Sequence, residues 1–153
     1  MKNTPSNPEV ESKESHPLDP RIANALQELG ICYDTDPEGN FYMLVEFDDN
    51  RFQQVCIRSR TQEFLGVEMR EIFSVALVSP GILDARTSNF LLRENVQKNL
   101  GAWAILHDRE SQAAIYTAKV SSSLPSRMLS EILAYLAETA DGVEQRLSGL
   151  DEF

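Results

Sequence analysis

Histidine is almost missing from this sequence: His16 and His107 are the only two among 153 residues. Cysteine is equally scarce, with Cys32 and Cys56 alone. No CxxC pair and no Cys/His spacing of the kind that holds zinc occurs. Neither a disulfide framework nor a structural metal organises such a chain, and no cofactor is implied. Both thiols are expected to be reduced and packed as small hydrophobes within strands. Positive charge is short as well. The 14 Lys and Arg face 24 Asp and Glu, for a net charge of -10. Displacing counterions from phosphates needs a positive field, and anionic lipid makes the same demand, so nucleic acid and membrane are both set aside as partners.

Long apolar runs are absent too. No stretch approaches the roughly 18 residues of a membrane span, and MKNTPSNPEVESKESHP lacks the apolar centre of a signal peptide. A cytoplasmic protein is expected. Gly39, Gly66, Gly81 and Gly101 stand isolated, so no glycine-rich phosphate loop is present. Ser121-Ser122-Ser123 has no nucleophile elbow around it and no histidine near it.

What is present is enough apolar residue, 42 % of the chain, to build one core. Residues 1–17 are polar and proline-bearing, and are expected as a flexible tail. Residues 18–150 are expected as a single domain. Asp19-Pro20 opens a helix whose apolar positions are Ile22, Ala25, Leu26 and Leu29, with Gly30 as its stop. ICYDT, NFYMLVEF and RFQQVCIRS then read as three strands joined by turn formers. REIFSVALVS (residues 70–79) is a fourth β-rich run, and the strand count around residues 61–79 stays open. Residues 84–100 return to helical spacing, placing Leu91, Leu92, Asn95, Val96, Asn99 and Leu100 on one face. AWAILH and AAIYTAKV form a hairpin. A long amphipathic helix follows from Ser123-Leu124-Pro125, with its stripe running from Leu129 to Leu150. The predicted fold class is α+β, an antiparallel sheet with helices in the order α-β-β-β-(β)-α-β-β-α.

That order and one run, LLRENVQKNLGAWAI, resemble the bacterial YbjN-type proteins. The matching positions are Leu91, Leu92, Asn95, Gly101, Trp103 and Ile105, and the stretch holding Leu133, Ala140, Asp141 and Leu147 is similar to that family's closing helix. The resemblance implies a type III secretion chaperone-like fold, commonly a homodimer. It also implies a non-enzymatic chaperone or adaptor role, with no catalytic residues to carry over.

Few residues invite chemistry. His107-Asp108 could be a ligand or base with its carboxylate, but either needs convergent partners that the sequence does not supply. The pair reads as the end of a hairpin. Trp103 either packs under a helix or stands at a dimer or partner surface, where Trp is enriched. Arg51, Arg58 and Arg60 cluster on or beside the third strand. If Arg58 and Arg60 point the same way they can receive an acidic peptide segment; otherwise they pair with neighbouring carboxylates. Asn95 and Asn99 are expected to bond nearby backbone.

The leading expectation is a cytoplasmic homodimer that binds a protein or peptide client through apolar surface around the sheet and second helix. Trp103, Leu91, Arg58 and Arg60 are the expected contact residues. The competing readings are a self-assembling structural protein and an enzyme with a site built from residues such as Arg58, Arg60 and Glu46.

Overall fold

The computed structural model describes residues 16–148. Helix α1 (Pro20–Glu28) opens as its sequence dictates: Arg21 donates its backbone N–H to the Asp19 carboxylate at 2.9 Å, and Pro20 fills the first turn. Strands β1 (Asp34–Thr35), β2 (Phe41–Glu46), β3 (Phe52–Phe64) and β4 (Val67–Pro80) follow. Helix α2 (Ala85–Glu94) runs into one 3-10 turn (Asn95–Gln97). Strands β5 (Ala102–Asp108) and β6 (Ser111–Ser121) and helix α3 (Ser126–Ser148) complete the chain. The six strands form one sheet in the order β1-β2-β3-β4-β6-β5, every neighbouring pair antiparallel. The expected α+β class and element order are borne out. Among the described residues no helix is long and apolar enough to cross a membrane.

The stretch left open at residues 61–79 is a long hairpin. β3 and β4 turn over at Leu65-Gly66, whose φ angles of 51° and 78° make a mirror-image two-residue turn that suits the twist of the flanking strands. The strand expected over residues 31–35 shrinks to two residues. The Ile31 N–H returns to the Leu26 carbonyl to close α1, so the chain reaches the sheet edge only at Asp34. Cys32 is therefore exposed rather than packed in a strand; Cys56 is buried as expected.

All three helices bury their apolar faces on the same side of the sheet. Ile22 and Leu26 of α1, Leu91 of α2 and the Leu129–Val143 stripe of α3 share one core with Phe41, Val55, Ile57, Ile72, Trp103 and Tyr116. An aromatic ladder runs through it, with ring centroids 5.1 Å apart for Trp103–Tyr116 and 6.0 Å for Tyr116–Tyr135. Gly101 (φ 78°) lets β5 approach β6, since a Cβ there would stand 2.5 Å from the Thr117 carbonyl oxygen.

The expected apolar face over residues 84–100 is corrected. The α-helix ends at Glu94, and Leu92 and Val96 face solvent while only Leu91 is buried. Of the expected tail, residues 1–15 lie outside the described residues, as does Leu150. His16 donates its N–H to the Pro37 carbonyl.

Candidate functional site

Period-2 alternation gives a sheet two faces, and the helices cover one. On the other, strand register sets residues in rows. Tyr42, Cys56, Phe73, Thr117 and Ala102 align across five strands. Val75, Ile115 and Ala104 form the next row, with Leu44 opposite Gln54 beside them. Val78, Ala113 and Leu106 form another. Cys56, Phe73 and Ile115 are buried there, and among the described residues the apolar side chains packed on them, Tyr42, Val75, Ala104 and Ala113, all come from the sheet. Around them Leu44 (64 % exposed), Phe52 (55 %), Val78 and Leu106 stand in solvent. An antiparallel sheet with one wet face ordinarily turns polar residues outward. A contiguous apolar face left open marks an interaction surface.

One end of this face is cationic. Between Ile57 and Thr61 the β3 register slips against β4 in a bulge, so residues 58–60 stand opposite Glu71. Arg58, Arg60 and Lys119 line a depression of about 90 Å³ with Gln62, Met69 and Glu71. Arg58 Nε donates to a Glu71 carboxylate oxygen at 2.8 Å, and its guanidinium lies 5.1 Å from the centre of the Phe73 ring. It thereby joins the apolar and charged parts of the face. Among the described residues Arg60 and Lys119 pair with no carboxylate.

The bulge is fixed from below and from the side. Arg70, 4 % exposed, donates to the Arg58 and Ser59 carbonyls at 2.7 and 2.8 Å and pairs with Asp19. Hydrogen bonds from Arg21, then from Arg70, lower the Asp19 carboxyl to about 2. The Ser59 N–H meets the Asn40 side-chain oxygen at 3.2 Å, and Asn40 is itself tied to Asp36. Burial pushes the Cys56 thiol up to about 12 and raises the neighbouring Tyr42 phenol as well, so neither supplies a nucleophile near neutral pH.

The structure places the expected residues unevenly. Arg58 and Arg60 line one shared depression. Trp103 (5 % exposed) packs under the helices, the first of its two expected places, and Leu91 (2 %) is core too, so their expected role as contact residues is corrected by the side of the sheet they occupy. Arg51 leaves the cluster, bound between Asp49 and Asp141 on the helical side. Glu46, opposite Phe52, stands six strand residues from the arginines along the register, about 20 Å, so the three do not make one site. His107 is exposed at the end of β5 beside the turn. No cluster of His, Cys, Asp or Glu among the described residues is arranged to hold a metal ion.

Asn95 has a role at the sheet edge. Its side chain accepts from the Trp103 N–H at 2.6 Å and donates to the Trp103 carbonyl at 3.3 Å, taking the place of a further strand. Backbone direction alternates along an antiparallel strand, so Ile105 and His107 also turn their N–H and C=O groups away from β6. Asp19 caps α1 as expected, but its pairing with Arg70 is not expected from the sequence. The signal was present: Arg70 shares its β4 face with Ile72 and Ser74, and a charge on that face needs a partner. No family model matches the chain, and no curated protein matches it.

Proposed function

We propose that this protein is a non-enzymatic binding module, chaperone- or adaptor-like, that holds a segment of a partner protein against the open face of its sheet. The observation that carries the reading is the set of apolar rows, from Leu44 and Phe52 through Cys56, Phe73 and Ile115 to Leu106, on the face that no described helix covers. Burying such side chains contributes about 25 cal/mol per Å² before the cost of association is subtracted. A homodimer belongs to the same proposal. The β5 edge supports it, because the outward backbone groups of Ile105 and His107 lie beyond the stretch that Asn95 caps, next to the exposed Ile105 and Leu106 side chains.

The test is retention of partners from a lysate of the native host by the full chain, with two double variants as parallel baits. Leu44→Glu with Phe52→Glu charges the open face; Leu92→Glu with Val96→Glu charges an exposed part of the helical side. With all three baits folded by circular dichroism, a protein retained by wild type and by the helical variant but lost by the sheet variant is the expected result. If nothing but the chain itself is recovered on every bait, the surface serves self-assembly and the client reading falls.

A further inference from the structure

We infer that the Arg58–Arg60–Lys119 end of the open face receives acidic residues of the partner, so that the segment bound is apolar along one part and carboxylate-rich along the next. The inference rests on the binding reading above and names the partner's chemistry.

Charge is the first argument. In a chain of net charge -10, this depression gathers three cations around one carboxylate, Glu71; Arg70, which also borders it, is neutralised by Asp19. The larger groove between α2 and the end of α3, about 600 Å³, also holds two arginines, Arg86 and Arg93, but Asp84 and Glu144 balance them. Of the two, the sheet end is the one left with a surplus among the described residues.

Position is the second argument. Arg58 covers Phe73 with its guanidinium while bonding Glu71, so cation and apolar row are continuous. A segment lying along Leu44, Cys56 and Phe73 passes directly to Arg60 and Lys119. Preorganisation is the third. Arg70 and Asn40 hold the bulge that brings Arg58 and Arg60 to one side, so little ordering of the backbone remains to be done on binding. A planar guanidinium can take a carboxylate with two parallel hydrogen bonds, and among the described residues no carboxylate pairs with Arg60.

The experiment uses the full chain and two fluorescein-labelled peptides of about twelve residues. Both alternate Val and Thr in the first half; the second half alternates Ser with Glu in one and Ser with Gln in the other. Fluorescence anisotropy at about 50 mM salt is expected to show the Glu peptide binding about tenfold more tightly, an advantage that disappears at about 500 mM as the exposed charges are screened. Arg60→Gln with Lys119→Gln should erase the advantage, so that the two peptides bind this variant equally. Equal binding of both peptides, unaltered in that variant, overturns the inference and leaves the apolar-face reading standing. Binding of neither peptide overturns it as well, and the sheet-variant baits then decide the broader reading separately. A further control addresses the chain's own acids, because His16 adjoins the turn whose Gly39 carbonyl is bonded by Ser59. If the Glu peptide binds only when Glu9, Glu11 and Glu14 are all changed to Gln, the occupant is this chain's own segment and the partner assignment is wrong.

Discussion

The helical side and the open side of this sheet share the same central strands and differ in how their apolar residues are finished. On the helical side Phe41, Val55, Ile57, Ile72 and Tyr116 end against α1, α2 and α3, and almost nothing apolar on those strands reaches water. On the open side burial stops at Cys56, Phe73 and Ile115, and the surrounding Leu44, Phe52, Val78 and Leu106 are exposed. The polar groups differ in the same sense. Arg70 on the inner side is saturated by two carbonyls and a carboxylate, while Arg60 and Lys119 on the outer side have no carboxylate among the described residues. Among the described residues one face is covered by helices and the other is not.

The strongest way to break that contrast is by truncation. Trp103→Ala should cost about 3–5 kcal/mol of stability in chemical denaturation, because it empties a buried site beside Tyr116. Leu44→Ala should stay within about 0.5 kcal/mol. Comparable losses at both positions would mean that the open face is structural. Next in size is Arg70→Met, expected to cost about 3 kcal/mol by leaving the Arg58 and Ser59 carbonyls unanswered and Asp19 short of a partner. The same change should loosen the bulge and weaken binding of the acidic peptide.

Acid offers a smaller test. Asp19 titrates near 2 when folded, below its ordinary 3.8. The fold therefore favours its ionised form, and the stability gained is complete above about pH 4 and is lost as pH falls through 2. Asp19→Asn should remove a step of about 2 kcal/mol from the acid limb of the stability profile. Leu65 adopts φ 51° in the β3–β4 turn, where a side chain that tolerates left-handed backbone is better suited. Leu65→Asn should raise stability by about 0.5–1 kcal/mol and touch neither face. Smallest in energy is the contrast between thiols: Cys32 should react with a maleimide at once. Cys56 should stay inert until the protein unfolds, because the centre of the open face is dry.

Much of the fold was legible in the residues, for local reasons. Asp19-Pro20 started α1, alternation from Phe41 to Val45 set the β2 faces, and the α3 stripe from Leu129 to Val143 fell on the core side as expected. The candidate site was legible only in part. Arg58 and Arg60 could be paired by parity, but periodicity could not tell which apolar face of a strand would receive helices; of the two places open to Trp103 it takes the one under a helix, and Leu91, expected as a contact residue, is core as well. The bulge that gathers the cations depends on Arg70 meeting Asp19, 51 positions away in the chain, and no local pattern reports a contact of that range. Asn95 was expected to bond backbone, and does so, but its use as a stand-in strand follows only from the position of β5.

The most direct measurement of whether the open face is completed by another protein is site-specific photocrosslinking in the native host. Benzoylphenylalanine is placed in the full chain at Leu44 on the open face or at Leu92 on the helical side, two leucines of nearly equal exposure (64 % and 63 %). The account predicts higher-mass adducts on irradiation at Leu44 and none at Leu92. Adducts at Leu92 with none at Leu44 would contradict it.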